Sequence, residues 1–181
     1  SSIRNEEDMP LISGVLRWYT VAEELRAAAY ATMAGSSVGP PDRSCVVPGA
    51  IAWDECDCGL LAVSVARTYY SDDFPTEQTA KVGAGSCRPA WDVAEIRVQA
   101  IRCAPSPQGE DLSPTCAALN TSAQEVAIDA ATVKSAVSLK LCQMEESNEV
   151  IDYLVQGQTV EGPQGGCVGS ELRVLVALPA E

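Results

Sequence analysis

The chain has 181 residues, 46% of them hydrophobic, and carries 12 Lys and Arg against 25 Asp and Glu, a formal net charge of −13. That apolar content is enough for the core of one domain and excludes a disordered tail. The charge excludes binding along nucleic-acid phosphates, which needs clustered Lys and Arg, and docking on an anionic membrane. There is no histidine, so Ser–His–Asp and Cys–His catalysis, His-ligated metals and histidine pH switches are excluded within these residues. No apolar run approaches the roughly 20 residues of a membrane helix, and the first residues lack a basic-then-apolar leader pattern.

Residues 1–14 are polar and acidic up to Met9-Pro10 and are expected to form an arm, with one domain over 15–181. Val15, Trp18, Ala22, Leu25, Ala29 and Met33 then recur at steps of three and four, the stripe of an amphipathic helix. Thr20 and Glu23 have capping-box spacing, which places a start or restart there, and Gly35 marks a stop. Residues 45–53, broken by Pro48-Gly49, predict a short or edge strand. Residues 60–70 predict a strand with Leu61, Val63, Val65, Arg67 and Tyr69 on one face. Ala62, Ser64 and Ala66 on its other face are small, which implies a close neighbour there.

Residues 71–92 show little periodicity, and loops of that length in a compact domain usually have a function or lack order. Residues 94–103 alternate cleanly, with Ile96, Val98 and Ala100 inward and Glu95, Arg97 and Gln99 outward. After a Pro-rich loop, Ser122 and Glu125 have capping-box spacing. They precede a second stripe: Val126, Ala130, Val133, Val137, Leu141 and Met144. Residues 152–160 and 171–178 predict strands joined through Gly162-Pro163-Gln164-Gly165-Gly166, which has hairpin-loop composition. The order predicts an α+β fold: an antiparallel or mixed sheet with two main helices on one face.

The eight cysteines are Cys45, Cys56, Cys58, Cys87, Cys103, Cys116, Cys142 and Cys167. Zinc sites usually show two Cys-x₂₋₄-Cys arms, whereas the one close pair here is Cys56 and Cys58 with a single residue between. Free core thiols, disulfides and a zinc site all remain open at this level. Among possible bridges, Cys103–Cys116 would close the Pro-rich loop between two regular elements, and Cys45–Cys87 is a second candidate. Val82-Gly83-Ala84-Gly85-Ser86 lacks the further Gly and the Lys-Ser/Thr of phosphate-cradling loops. Glu55 and Asp57 flank Cys56 and would raise its pKa, making the thiolate scarcer. The carboxylate pairs (Asp54/Glu55, Asp72/Asp73, Glu145/Glu146) follow from an acidic composition. No pattern points to an enzyme, a cofactor or a metal.

Four longer motifs carry a resemblance. They are Cys45-Val46-Val47-Pro48-Gly49-Ala50-Ile51-Ala52-Trp53-Asp54 continuing to Cys56, Cys58 and Gly59; Ala90-Trp91-Asp92-Val93-Ala94-Glu95; Arg102-Cys103-Ala104-Pro105 with Pro107-Gln108-Gly109; and Gly166-Cys167-Val168-Gly169-Ser170-Glu171-Leu172. Together they resemble tail terminator proteins of long-tailed phages that infect actinobacteria, over most of residues 15–179. The resemblance implies a structural virion protein at the tail neck, assembled in the host cytoplasm. It implies a sheet flanked by helices, and a homo-hexameric ring that caps the head-proximal end of the tail tube, stops its polymerisation and joins the head connector or stopper. Genomic DNA would pass through the ring without specific binding. The acidity suits either a channel wall that repels phosphates or a solubilising outer surface. The loops 71–92 and 104–120 would then be inter-subunit arms, with Asp72, Asp73, Phe74, Pro75 and Glu77 as candidate contacts. Two other readings stand beside this one: a neighbouring connector protein, and a metal-binding or redox module built on Cys56 and Cys58.

Overall fold

The computed structural model describes residues 12–51, 59–78, 90–107 and 113–181. Most of the N-terminal arm, Cys56, Cys58, Cys87 and the Gly83–Gly85 stretch lie outside the described residues. The elements run α1 (Arg17–Ala34), β1 (Arg43–Val46), β2 (Leu60–Ser71), β3 (Trp91–Cys103), α2 (Cys116–Glu146), β4 (Asp152–Gln164) and β5 (Cys167–Pro179). The strands form one sheet in the order β1-β2-β3-β5-β4. Among the described residues β1 and β2 pair parallel and the other neighbours antiparallel, so the sheet is mixed. This is the α+β architecture expected from the sequence.

The strand alternation decides which side chains meet the helices. Ile96, Val98 and Ala100 of β3 and Leu172, Val174, Val176 and Leu178 of β5 form one buried cluster with both helices. From α1 it takes Val21, Ala22, Leu25, Ala29 and Met33; from α2 it takes Val133, Ala136, Val137, Leu141 and Met144. Each fully buried Val or Leu contributes about 1.5–3 kcal/mol relative to exposure, so this cluster is what holds the helices on the sheet. Val15, at the head of the predicted first stripe, lies before α1 and is fully exposed.

Both helices begin earlier than their capping boxes suggested. α1 starts after Leu16, and the Thr20 hydroxyl donates to the Leu16 carbonyl inside the first turn. α2 starts after Thr115, whose hydroxyl oxygen accepts from the Ala118 N–H at 3.2 Å. Ala117, Ala118 and Leu119 are strong helix formers that extend the helix upstream of Ser122, which is itself buried. Strand β3 also begins three residues before Ala94, at Trp91.

The faces assigned to β2 need one correction. A register shift between Val65 and Arg67 moves Arg67 and Tyr69 to the side of the sheet away from the helices. There Tyr69 joins Val93, Leu175 and Ala177 in a second small cluster, with Phe74 and Trp91 against it. Ala62 and Ser64 on that same side are buried, as their small size implied. The β4–β5 hairpin closes at Gly165 and Gly166, with φ of +54° and +78°, values that glycine adopts without strain.

Candidate functional site

The side of the sheet away from the helices carries an alternating row of charges. Arg67 of β2 donates to Glu77 at 2.7 Å and to Glu95 of β3 at 3.1 Å. Arg97 reaches Glu95 at 3.4 Å and Glu171 of β5 at 4.0 Å. Glu171 also accepts from Arg173 at 2.6 Å and from Gln99 at 3.0 Å. Its side chain is only 4% exposed, so these donors replace the water it has lost. Hydrogen bonds to Glu77 and Glu95 raise the Arg67 pKa, and the bond to Glu171 raises that of Arg173. The row of Glu77, Arg67, Glu95, Arg97, Glu171 and Arg173 balances its own charge within a strongly acidic chain. It offers no nucleophile or unpaired acid–base group.

Residues 72–78, the described part of the loop expected to reach another subunit, are bound to their own sheet. The Tyr69 hydroxyl donates to the Pro75 carbonyl at 2.9 Å, and burial raises its pKa. Gln78 donates to Asp72 at 2.6 Å, and Asp72 also accepts from the Ala90 N–H at 3.0 Å. Thr76 N–H closes a turn onto the Asp73 carbonyl at 2.7 Å. Phe74 packs on the second cluster, while Asp72, Asp73, Pro75 and Glu77 are exposed. The structure thus brings these five residues together as one anchored turn.

The cysteine pairings expected from the sequence do not form. Cys116 heads α2 as an exposed free thiol, and Cys45 on β1 is another. Cys103 instead faces Cys167 in the β3–β5 register, and each of these two is disulfide-bonded. The strand pairing sets this outcome: β3 ends beside β5, whereas Cys116 stands on the exposed first turn of the helix.

Two part-buried ion pairs were not legible in advance. Arg102 of β3 donates to both carboxylate oxygens of Asp129 on α2, at 2.7 and 2.9 Å, and to the Gly39 carbonyl at 2.7 Å. The Asp129 bond raises the Arg102 pKa. Arg17 at the start of α1 pairs with Asp92 of β3 and donates to the Pro179 carbonyl at 2.9 Å. Both clamps tie helices to strand ends, and charges at positions 102 and 129 gave no sign of meeting until the helix was docked.

An apolar hollow lies between the start of α2 and the ends of β4 and β5, lined by Pro105, Leu119, Val126, Val160, Pro163 and Val168 among others. A smaller one of about 360 Å³ lies at the β1 edge, lined by Tyr19, Val46, Val47, Pro48, Gly49 and Val65. Neither brings together ionisable groups. Among the described residues, no helix is long and apolar enough to cross a membrane. No protein-family model and no curated protein matches the chain.

Proposed function

We propose that this chain is a structural virion protein, a tail terminator. Its copies would form a hexameric ring on the head-proximal end of a tail tube, end tube growth and join the tail to the head connector. The architecture is the observation that most supports this reading. An open mixed sheet with two helices on one side agrees with the sheet flanked by helices that the resemblance of the 45–59, 90–95, 102–109 and 166–172 motifs implies. The self-balanced charge row agrees with a surface that needs rigidity and no chemistry. A connector or stopper is the competing reading within the virion. Such proteins are expected to be mainly β-barrels, and helices of 18 and 31 residues on an open sheet count against it.

Location in the particle tests the proposal. Gold-labelled antibody against this chain should mark purified particles at one point, where the tail meets the head. Label along the tube, or particles that carry none of the protein, would contradict it.

A further inference from the structure

We infer that the chain binds further copies of itself head-to-tail through the two edges of its sheet, the β1 edge of one copy meeting the β4 edge of the next. Closure into a ring rests on the terminator reading; the edge contact itself does not.

Among the described residues the sheet is open, and β1 and β4 are its outer strands. An outer strand presents unpaired N–H and C=O groups that another strand can meet. β1 has four residues, Arg43–Val46. Register shifts divide β4 between Val155 and Gln158 and again between Glu161 and Gln164, leaving Gln158 to Glu161 as a regular run of four. The two edges therefore offer regular stretches of equal length.

Side chains on the two stretches also match face for face. On the helix-bearing side β1 presents Val46, beside the hollow lined by Tyr19, Val47 and Pro48. On the same side β4 presents Val160, 68% exposed, opposite Ser170 of β5. Burying such a valine in an apolar hollow removes surface that is otherwise wet. On the other side β1 presents Arg43, and β4 presents Glu161 and Asp152. Among the described residues none of these three has a salt-bridge partner. Arg173 feels the charge of Glu161 but is paired with Glu171.

The charges also select the geometry. A β1–β1 contact would oppose two arginines and a β4–β4 contact two sets of carboxylates, whereas β1 against β4 opposes unlike charges. An interface made from two different patches leaves one of each free on every growing assembly, so it either closes or continues.

Cys45 supplies a native probe, because it is an exposed free thiol on the same side of β1 as Arg43. Thr159→Cys would place a second thiol on the matching side of β4. The purified full chain carrying Thr159→Cys, with Cys56, Cys58, Cys87, Cys116 and Cys142 changed to Ser so that Cys45 is the one other free thiol, treated with a short bismaleimide, should give a ladder of covalent oligomers that disappears when Cys45→Ser is added. A ladder that survives Cys45→Ser, or no ladder from a folded chain, overturns the inference. In sedimentation, Arg43→Glu and Glu161→Arg should each weaken self-association roughly 2- to 5-fold, and the two together should restore it. A double variant no better than the singles, or a native chain that stays monomeric, also overturns it. Failure here leaves the effect of the protein on tail length untouched, and a ladder from a protein whose loss leaves tails normal would keep the contact and remove the terminator reading.

Discussion

Arg102 and Asp129 show how much a single side chain can carry. Asp129 is 2% exposed, and its two oxygens are met by one guanidinium. Arg102→Ala would leave a buried carboxylate without its partner, at a cost of about 3–5 kcal/mol. Urea unfolding should show that loss, and Arg102→Met with Asp129→Leu should recover most of it. Ser71 is the opposite case: its hydroxyl is buried and has no hydrogen-bond partner among the described residues. Ser71→Ala should therefore raise stability by about 1 kcal/mol, read as a higher urea midpoint with an unchanged slope. Neither effect is visible in the sequence. Residue identity gives the chemistry of a group, but its partner depends on which strand or helix packs against it.

At the scale of elements, the stripes were legible because their physics is local. A 3.6 period fixes which side of a helix is apolar, so Val133, Val137 and Leu141 could be assigned to the core before any neighbour was known. Val137→Asp would bury an unpaired charge under β3 and β5, at a cost of several kcal/mol, about 3 or more. Loss of the cooperative thermal transition, or a large fall in its midpoint, is the expected result; a normally folded variant would show that the stripe does not face the sheet. Helix starts and strand faces were less legible. Thr115 caps α2 with a single hydroxyl, which competes poorly as a signal with the Ser122 and Glu125 pair seven residues on. The shift at Val65 and Arg67 reverses the faces of β2 beyond it, and one extra residue in a strand leaves the alternation of hydrophobicity almost unchanged. Arg67 and Tyr69 therefore read as sharing a face with Leu61, Val63 and Val65, although they pair with Glu95 and Val93 and lie on the side away from the helices.

For the whole molecule, the same sheet provides both the fold and the proposed assembly. Its centre, β3 with β5, is covered by helices on one side and by the charge row and the 72–78 turn on the other. Among the described residues, its two edges carry no further strand. A net charge of −13 keeps copies apart unless opposite charges are brought together, as Arg43 and Glu161 would be. The class of fold was legible because element order and apolar periodicity both specify it. The cysteine pairing was not, because it follows from the β3–β5 register, which depends on contacts distant in sequence. The proposed function rests on the resemblance of four motifs; among the described residues no group of three or more Cys, Asp or Glu could hold a metal ion. The proposed role of the chain is to end tube growth. The distribution of tail lengths in particles assembled without it, measured by electron microscopy, tests this most directly. Without the chain, tails of uncontrolled length detached from filled heads are expected; tails of normal length would contradict the terminator role.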